Sequence, residues 1–182
     1  MRIMTPMENF DFEIEWQFAE PYRRVDLPDL PDTHPVRVFA DYWMTRSEED
    51  SPMPRSEFSP ADLPQVIPWL MILERFGDSD YGYRLCGTGC VDLFGIDYTN
   101  CELGDHLPEE SAETRRREFE EVWREAKPVY SHTRVPIPGR EFLRIFRGVF
   151  PVSTREDQLD QVFVVIASAE PLGGQRDDIE PA

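Results

Sequence analysis

Two short apolar runs joined by a turn dominate the pattern of the chain. Residues 69–73 form an unbroken apolar run, and residues 81–86 alternate in type. Between them, residues 77–80 read Gly-Asp-Ser-Asp, which favours a turn, so the two runs predict an antiparallel hairpin. The apolar spacing then changes to a mixture of three and four over residues 91–96, which predicts a short helix that ends at Gly95.

The C-terminal half continues with a longer helix and three strands. Ser111 can cap this helix, and Pro128 stops it. Its apolar face consists of Phe119, Val122, Trp123 and Ala126. The strands are predicted at residues 129–137, 141–152 and 162–169, with Gly148 as a bulge in the second.

The segment before the hairpin carries two further patterns. Residues 10–18 alternate large apolar with polar or acidic side chains, which predicts an extended segment with one apolar face. A helix should then start with Asp32 or Thr33 as its cap and Pro35 in its first turn, and run to about Arg46. Its apolar face consists of Val36, Phe39, Tyr42 and Trp43.

This order of elements predicts an α+β domain. We expect a five-stranded antiparallel sheet with helices on one face, plus an N-terminal helical extension. The divisions are residues 1–35 as extension and linker, 36–170 as the domain with its N-terminal cap helix, and 171–182 as a polar tail. The last strand is apolar on both faces, so its second face also needs cover. The helix at 36–43, the segment at 10–18 or a second copy of the chain could provide that cover.

Composition restricts the partners and the compartment. The formal charge of −17 argues against binding to nucleic-acid phosphates and against an anionic membrane surface. No apolar run approaches the roughly 18 to 20 residues that a membrane span needs. The N-terminus has no apolar core of a signal peptide, and three cysteines form no disulfide framework. We therefore expect a cytoplasmic protein in a reducing compartment.

The order of elements and four short motifs resemble the PAS sensor domain, most closely the short stand-alone bacterial PAS-domain proteins. The motifs are Tyr42-Trp43, Leu63-Pro64, Tyr-Arg-Leu-Cys-Gly-Thr at 83–88 and Phe-Gly-Ile-Asp-Tyr-Thr at 94–99. The resemblance covers about residues 36–170. Asn100 stands where the related proteins usually have Gly, and Asn also tolerates a left-handed backbone.

The resemblance implies a sensory or regulatory module. Such a module binds a small-molecule ligand or a signalling protein partner, and it acts through partner binding or as a homodimer. The alternative is a ligand-free interaction adaptor with a filled core. We find no nucleophile–base pair, phosphate loop or paired-carboxylate pattern, so we expect no catalytic residue and no enzyme activity.

The cofactor stays unknown, and neither haem nor flavin is favoured. Asn100-Cys101 is similar to the Asn-Cys pair of flavin-binding light sensors, but the residues that follow, 102–105, do not match that motif. Haem could use His106 or His132, although their spacing gives no support. The cysteines and histidines do not have the spacing of a zinc site, so we expect no metal.

The candidate ligand pocket lies between the long helix and the sheet. Its candidate residues are Tyr83, Arg84, Leu85, Leu93, Phe94, Phe119, Trp123, Phe146 and Phe163. The same aromatic residues could instead fill a core. Arg84 could bind an anion or pair with an acid on a neighbouring strand, and Arg144 and Arg147 are open to the same two interpretations. Arg115 belongs to a run of three arginines that we expect on a solvated helix face. The candidate interface consists of Val36, Phe39, Tyr42 and Trp43.

Overall fold

The fold was obtained as a computed structural model, which describes residues 23–135, 139–140, 142–155 and 158–170. The predicted extended segment at 10–18 and the predicted tail at 171–182 lie outside these residues. Three α-helices are described: α1 (Pro35–Met44), α2 (Thr88–Phe94) and α3 (Glu109–Glu125). The strands are β1 (Arg23–Arg24), β2 (Met53–Pro54), β3 (Leu70–Phe76), β4 (Asp80–Cys86), β5 (Val129–Arg134), β6 (Arg144–Arg155) and β7 (Gln158–Ser168).

All seven described strands belong to one sheet. Its order is β1-β5-β6-β7-β3-β4, and β2 pairs with β6 beside this path. The strands on the path pair antiparallel, whereas β2 runs parallel to β6. The predicted α+β fold and its five main strands are confirmed. The two additional strands have two residues each, too few to show any periodicity in the sequence.

Helices cover both faces of the sheet. On the inner face, alternate residues such as Val149 of β6 and Val164 of β7 pack in one core with α2 and α3. On the outer face, Phe150 and Phe163, which are opposite each other in register, pack in a second core with α1. The strands are apolar on both sides, so helices on a single face would leave one apolar face in water.

The residues predicted to form an interface belong to this outer core. Val36, Phe39, Tyr42 and Trp43 are all buried within the chain itself. The Phe39 ring lies 4.7 Å from the Phe150 ring in an edge-to-face arrangement. Trp43 Nε1 donates a hydrogen bond of 2.9 Å to the carbonyl of Pro151. An amphipathic helix was correctly predicted, and its apolar stripe packs on the sheet within the chain.

The cap of α1 is His34 and not Asp32 or Thr33. The Val36 amide donates to His34 Nδ1 at 3.2 Å, and His34 Nε2 donates to the Ser168 carbonyl at 2.9 Å. Pro35, the first helical residue, has no N–H, so Val36 provides the first amide that needs an acceptor. His34 therefore caps the helix and ties its start to the end of β7.

Two other local predictions differ from the structure. Helix α3 begins at Glu109, after Pro108, instead of after Ser111, and its first turn contains two glutamates. Gly148 lies in regular register, while the irregular pairing of β6 with β7 begins beyond Val152. A Cβ atom on Gly148 would lie 2.7 Å from atoms of Val36 and Phe150, so this glycine permits the close approach of α1.

Candidate functional site

A cavity of about 80 Å³ lies on the inner face of the sheet, between the sheet, α3 and the loop that precedes α3. Its apolar wall on the sheet comes from Met71 and Leu73 of β3 and from Val164 and Ile166 of β7. Phe119 closes it from α3. These side chains meet because alternate residues of each strand point to the same face.

The loop at residues 95–108 forms a further wall, to which Tyr98, Leu103 and Leu107 contribute. Backbone hydrogen bonds hold it against β4: Tyr83 N–H donates to the Cys101 carbonyl at 2.9 Å, and Asn100 N–H donates to the Tyr83 carbonyl at 2.8 Å. Asn100 has a φ of 67°, as its tolerance of left-handed backbone predicted. The motif at 94–99 thus shapes one side of the cavity.

The polar side chains of the cavity include three arginines, which are Arg115, Arg134 and Arg147. Arg147 of β6 and Arg115 of α3 both line it, and both contact the same oxygen, Oε2 of Glu118. Arg147 Nη1 donates a hydrogen bond to this oxygen, while Arg115 Nη1 lies 3.5 Å from it. The side chains of Arg147 and Glu118 are only 5% and 3% exposed, so this is a buried ion pair. Ser111 and Thr133 also line the cavity.

Tyr83 brings a hydroxyl group into this environment. Burial raises the pKa of Tyr83 to about 12, although the nearby charges of Arg147 and Arg115 act in the opposite direction. Its phenol therefore stays protonated at neutral pH and can donate a hydrogen bond. The Tyr83 ring stacks on Tyr98 with 5.2 Å between ring centroids. The site combines an apolar wall with several hydrogen-bond donors.

The predicted pocket residues separate into three groups. Tyr83, Phe94 and Phe119 line the cavity. Leu93 and Trp123 belong to the same inner core, although they do not line the cavity.

The remaining four candidates lie elsewhere. Phe146 and Phe163 are on the outer face, because the alternation in β6 and β7 directs them towards α1. Leu85 and Arg84 are exposed. In the pairing of β3 with β4 the register jumps from Leu85 to Tyr83, so Arg84 is the extra residue of a bulge, and it pairs with Glu74. The alternative of pairing with an acid on a neighbouring strand is the one observed for Arg84.

None of the three cavity arginines was among the predicted pocket residues. For Arg147 a signal existed, because Ile145, Arg147 and Val149 follow each other at a period of two and must share one face. For Arg115 the signal is its position four residues before Phe119, which places both side chains on one side of α3. The run of three arginines had suggested a solvated face, and this holds for Arg117, which is exposed and pairs with Glu113.

The residues considered for haem or flavin lie outside the cavity lining. His106 is exposed, and its Nε2 lies 3.6 Å from Cys101 Sγ. His132 contacts Phe146, which packs against the outer core. Among the described residues, no group of three or more His, Cys, Asp or Glu side chains could hold a metal ion. In the same part of the chain, none of the helices has the length and apolar character needed to cross a bilayer.

The protein is therefore an α+β domain in which a small cavity lies between the sheet and a helix. A family model for the PAS domain matches residues 32–167. The match covers most of the chain, so the protein belongs to the PAS domain family, and the resemblance of the sequence motifs is confirmed. No curated protein shows significant sequence similarity to the chain. Membership in this family makes it a sensory or regulatory module in the general sense of PAS domains.

Proposed function

We propose that this protein is a cytoplasmic, non-catalytic PAS sensor that binds a small molecule in the cavity between α3 and the sheet. The observation that supports the proposal most directly is the lining of that cavity. Apolar side chains such as Val164 and Ile166 meet polar groups such as Arg147 and Tyr83 in one cavity. Small-molecule sites typically combine an apolar wall with a few convergent polar groups in this way.

The size of the cavity restricts the ligand. A volume of about 80 Å³ has room for a few water molecules or for a small organic molecule. Sites for drug-sized ligands are larger, at about 300–1,000 Å³. The proposed ligand is therefore much smaller than haem or a flavin.

The output of the sensor is proposed to pass through a homodimer or a signalling protein partner, as PAS domains commonly mediate protein interactions. The apolar stripe of α1 packs on the outer face of the sheet within the chain, so we do not propose this stripe as the contact with a partner. Any change of assembly would thus use other surfaces, and it requires that ligand-bound and ligand-free states differ in affinity for the partner.

The second candidate function is a ligand-free interaction adaptor. The small volume of the cavity favours it, since a core with about 80 Å³ of space can stand empty or hold water. In that case the inner core serves stability alone, and the functional surface lies outside the cavity.

Native mass spectrometry of the full chain separates the two candidates. A mass excess under gentle conditions that disappears on denaturation supports a bound small molecule, and the same spectrum reports monomer or dimer. The variant Val164→Phe should fill the cavity and remove the excess, whereas Leu85→Phe, at an exposed position outside the cavity, should keep it. An apo mass in the native protein, with added small molecules also failing to bind, would contradict the sensor proposal.

A further inference from the structure

We propose that Cys101 is a site of oxidation by hydrogen peroxide, and that His106 takes the proton of its thiol as the reaction proceeds. The two residues belong to the loop at residues 95–108, and Cys101 Sγ lies 3.6 Å from His106 Nε2. Neither residue lines the cavity between α3 and the sheet. The inference therefore goes beyond the proposed function and does not depend on a bound ligand.

The fold of the loop brings the two side chains together. Cys101 is fixed beside β4, because its carbonyl accepts a hydrogen bond of 2.9 Å from the Tyr83 N–H. The chain then reverses over residues 102–105, where Gly104 has a φ of 108°, a left-handed value that glycine adopts at no steric cost. This turn returns His106 to the side of Cys101. The sequence contains two residues of suitable type, and the turn makes them a pair.

The pair is accessible from solvent and rests on a buried ring. Cys101 is half-buried and His106 is exposed, so a small oxidant can reach the sulfur. The ring of Tyr98, which is buried, lies edge-to-face with the His106 ring at 5.9 Å between centroids. The Cys101 N–H also donates to the Tyr98 carbonyl at 2.9 Å. Tyr98 thus contacts both partners and restricts their relative movement.

A thiol beside an imidazole has the groups that this oxidation needs. As the sulfur attacks one oxygen of hydrogen peroxide, an S–O bond forms, the O–O bond breaks, and His106 Nε2 takes the thiol proton. The imidazolium then gives this proton to the leaving hydroxide, so the products are a sulfenic acid and water. The sulfur loses two electrons and the peroxide gains them. This role requires the tautomer of His106 in which Nε2 carries no proton.

The charges of the loop favour a neutral oxidant. Residues 95–108 contain Asp97, Glu102 and Asp105, all of them exposed, and no lysine or arginine. These carboxylates repel an anionic oxidant, whereas hydrogen peroxide is uncharged at neutral pH. Its small size also suits a sulfur that is only partly exposed.

The other two cysteines provide internal controls. Cys90 is fully buried, and burial raises the pKa of its thiol. Burial also raises the pKa of Cys86, and the Cys86 thiol contacts the Gly87 carbonyl, at 4.0 Å, instead of a base. The thiolate is the reactive form of cysteine, so we expect both residues to react slowly.

Timed oxidation of the full chain tests the inference. Hydrogen peroxide is added together with dimedone, which traps a sulfenic acid, and tandem mass spectrometry of the digested protein locates the adduct at each cysteine. We expect Cys101 to react about tenfold or more faster than Cys86 and Cys90. His106→Gln should slow the reaction of Cys101 by about tenfold or more, because the base is lost. Cys86→Ser should leave the rate at Cys101 unchanged.

A second pH separates proton transfer from a purely structural role of His106. At about pH 10 an ordinary thiol ionises without a base, so the rates of the native chain and of His106→Gln should converge there. A gap of the same size at pH 7 and pH 10 would overturn the inference, because His106 would then only hold the loop. Equal rates at the three cysteines would also overturn it, as would a His106→Gln variant that reacts like the native chain at pH 7. Ligand binding in the cavity is measured separately, so this inference and the proposed function can fail independently.

Discussion

Glu118 and Arg147 form an ion pair between α3 and β6 that is almost completely withdrawn from solvent. Removing one partner of such a pair leaves a buried charge, which typically costs about 3–5 kcal/mol. We therefore expect Glu118→Ala to lower the free energy of unfolding by about that amount. Glu113→Ala, which breaks exposed pairs on the same helix, should cost less than about 1 kcal/mol. Urea denaturation of both variants measures the difference, and equal losses would show that the burial of the pair has no energetic consequence.

His34 gives the fold a dependence on pH. Burial lowers the pKa of His34 below its usual value of 6.5, although its backbone hydrogen bonds, chiefly to Ser168, oppose this effect. The neutral ring is the form that caps α1, because only unprotonated Nδ1 can accept from Val36. Below pH 6.5 the unfolded chain therefore binds the proton more readily than the folded chain. The contribution of His34 to stability is complete above pH 6.5 and is lost as the pH falls.

The variant His34→Asn isolates this contribution, since Asn is also a good cap but does not titrate. We expect the native chain to lose stability relative to the variant between pH 7.5 and 5.5, by up to about 1.4 kcal/mol for each unit below 6.5. Urea denaturation at the two pH values provides the measurement. If the difference in unfolding free energy between the native chain and the variant does not change with pH, the assignment of this pH dependence to His34 is wrong. The carboxylates titrate in both proteins, so their contribution cancels in the comparison.

Gly148 allows α1 to approach β6 closely. A methyl group at this position would lie 2.7 Å from side-chain atoms of Val36 and Phe150, nearer than such contacts allow. We expect Gly148→Ala to destabilise the protein by about 1–3 kcal/mol through overpacking. The double variant Gly148→Ala with Val36→Ala should recover part of this loss, and thermal unfolding can compare the two. If Gly148→Ala is neutral, α1 does not sit as close to the sheet as the structure places it.

At the scale of elements, α1 acts as the cover of the outer sheet face. Phe39 is fully buried on it, whereas Met44 of the same helix is 48% exposed. Truncation of a buried Phe typically costs about 3–5 kcal/mol, so we expect Phe39→Ala to cause a loss in this range. Met44→Ala should change the stability by less than about 0.5 kcal/mol. A small effect of Phe39→Ala, accompanied by a change in oligomeric state, would instead support the interface that the sequence suggested for this residue.

The elements themselves were predictable where a period extends over several residues. The hairpin of β3 and β4, the short α2 ending at Gly95 and the amphipathic α1 and α3 all follow from apolar spacing. The pairing of β1 with β5 and of β2 with β6 was not predictable, because each of these short strands has only two residues and shows no periodicity in the sequence. The N-terminal cap of α1 was also not predicted. His34 caps this helix because the fold places its ring between Val36 and Ser168, and the local sequence does not show this contact.

The candidate site was predictable only in part, for a related reason. Tyr83, Phe94 and Phe119 were found from their place between the long helix and the sheet, and all three line the cavity. Phe163 was assigned to the same side because it is aromatic, but in a strand that is apolar on both faces composition does not reveal the face. Arg147 could have been assigned to the inner face by following the alternation from Ile145 to Val149, although the residue between them on that face is charged.

At the scale of the whole molecule, one sheet belongs to two cores. In β6, Val149 packs in the inner core below α3, and the next residue, Phe150, packs in the outer core below α1. The same alternation continues in β7 with Val164 and Val165. Loss of either core would leave one face of these strands in water. A change at the cavity is therefore connected to α1 through the strands they share.

This sharing predicts that both cores unfold together. Native-state hydrogen exchange in increasing urea should show the amides of α1, α3 and β6 converging on one global free energy of unfolding, since no core can open while the sheet stays intact. A ligand that binds in the cavity should then slow exchange in α1 as much as in α3, although α1 lies on the opposite face, because it stabilises the single folded state. Cavity-filling by Val164→Phe should remove this effect of the ligand. If α1 opens at a lower free energy and is unaffected by the ligand, the helix is a separate unit, and a signal from the cavity cannot reach it through the sheet.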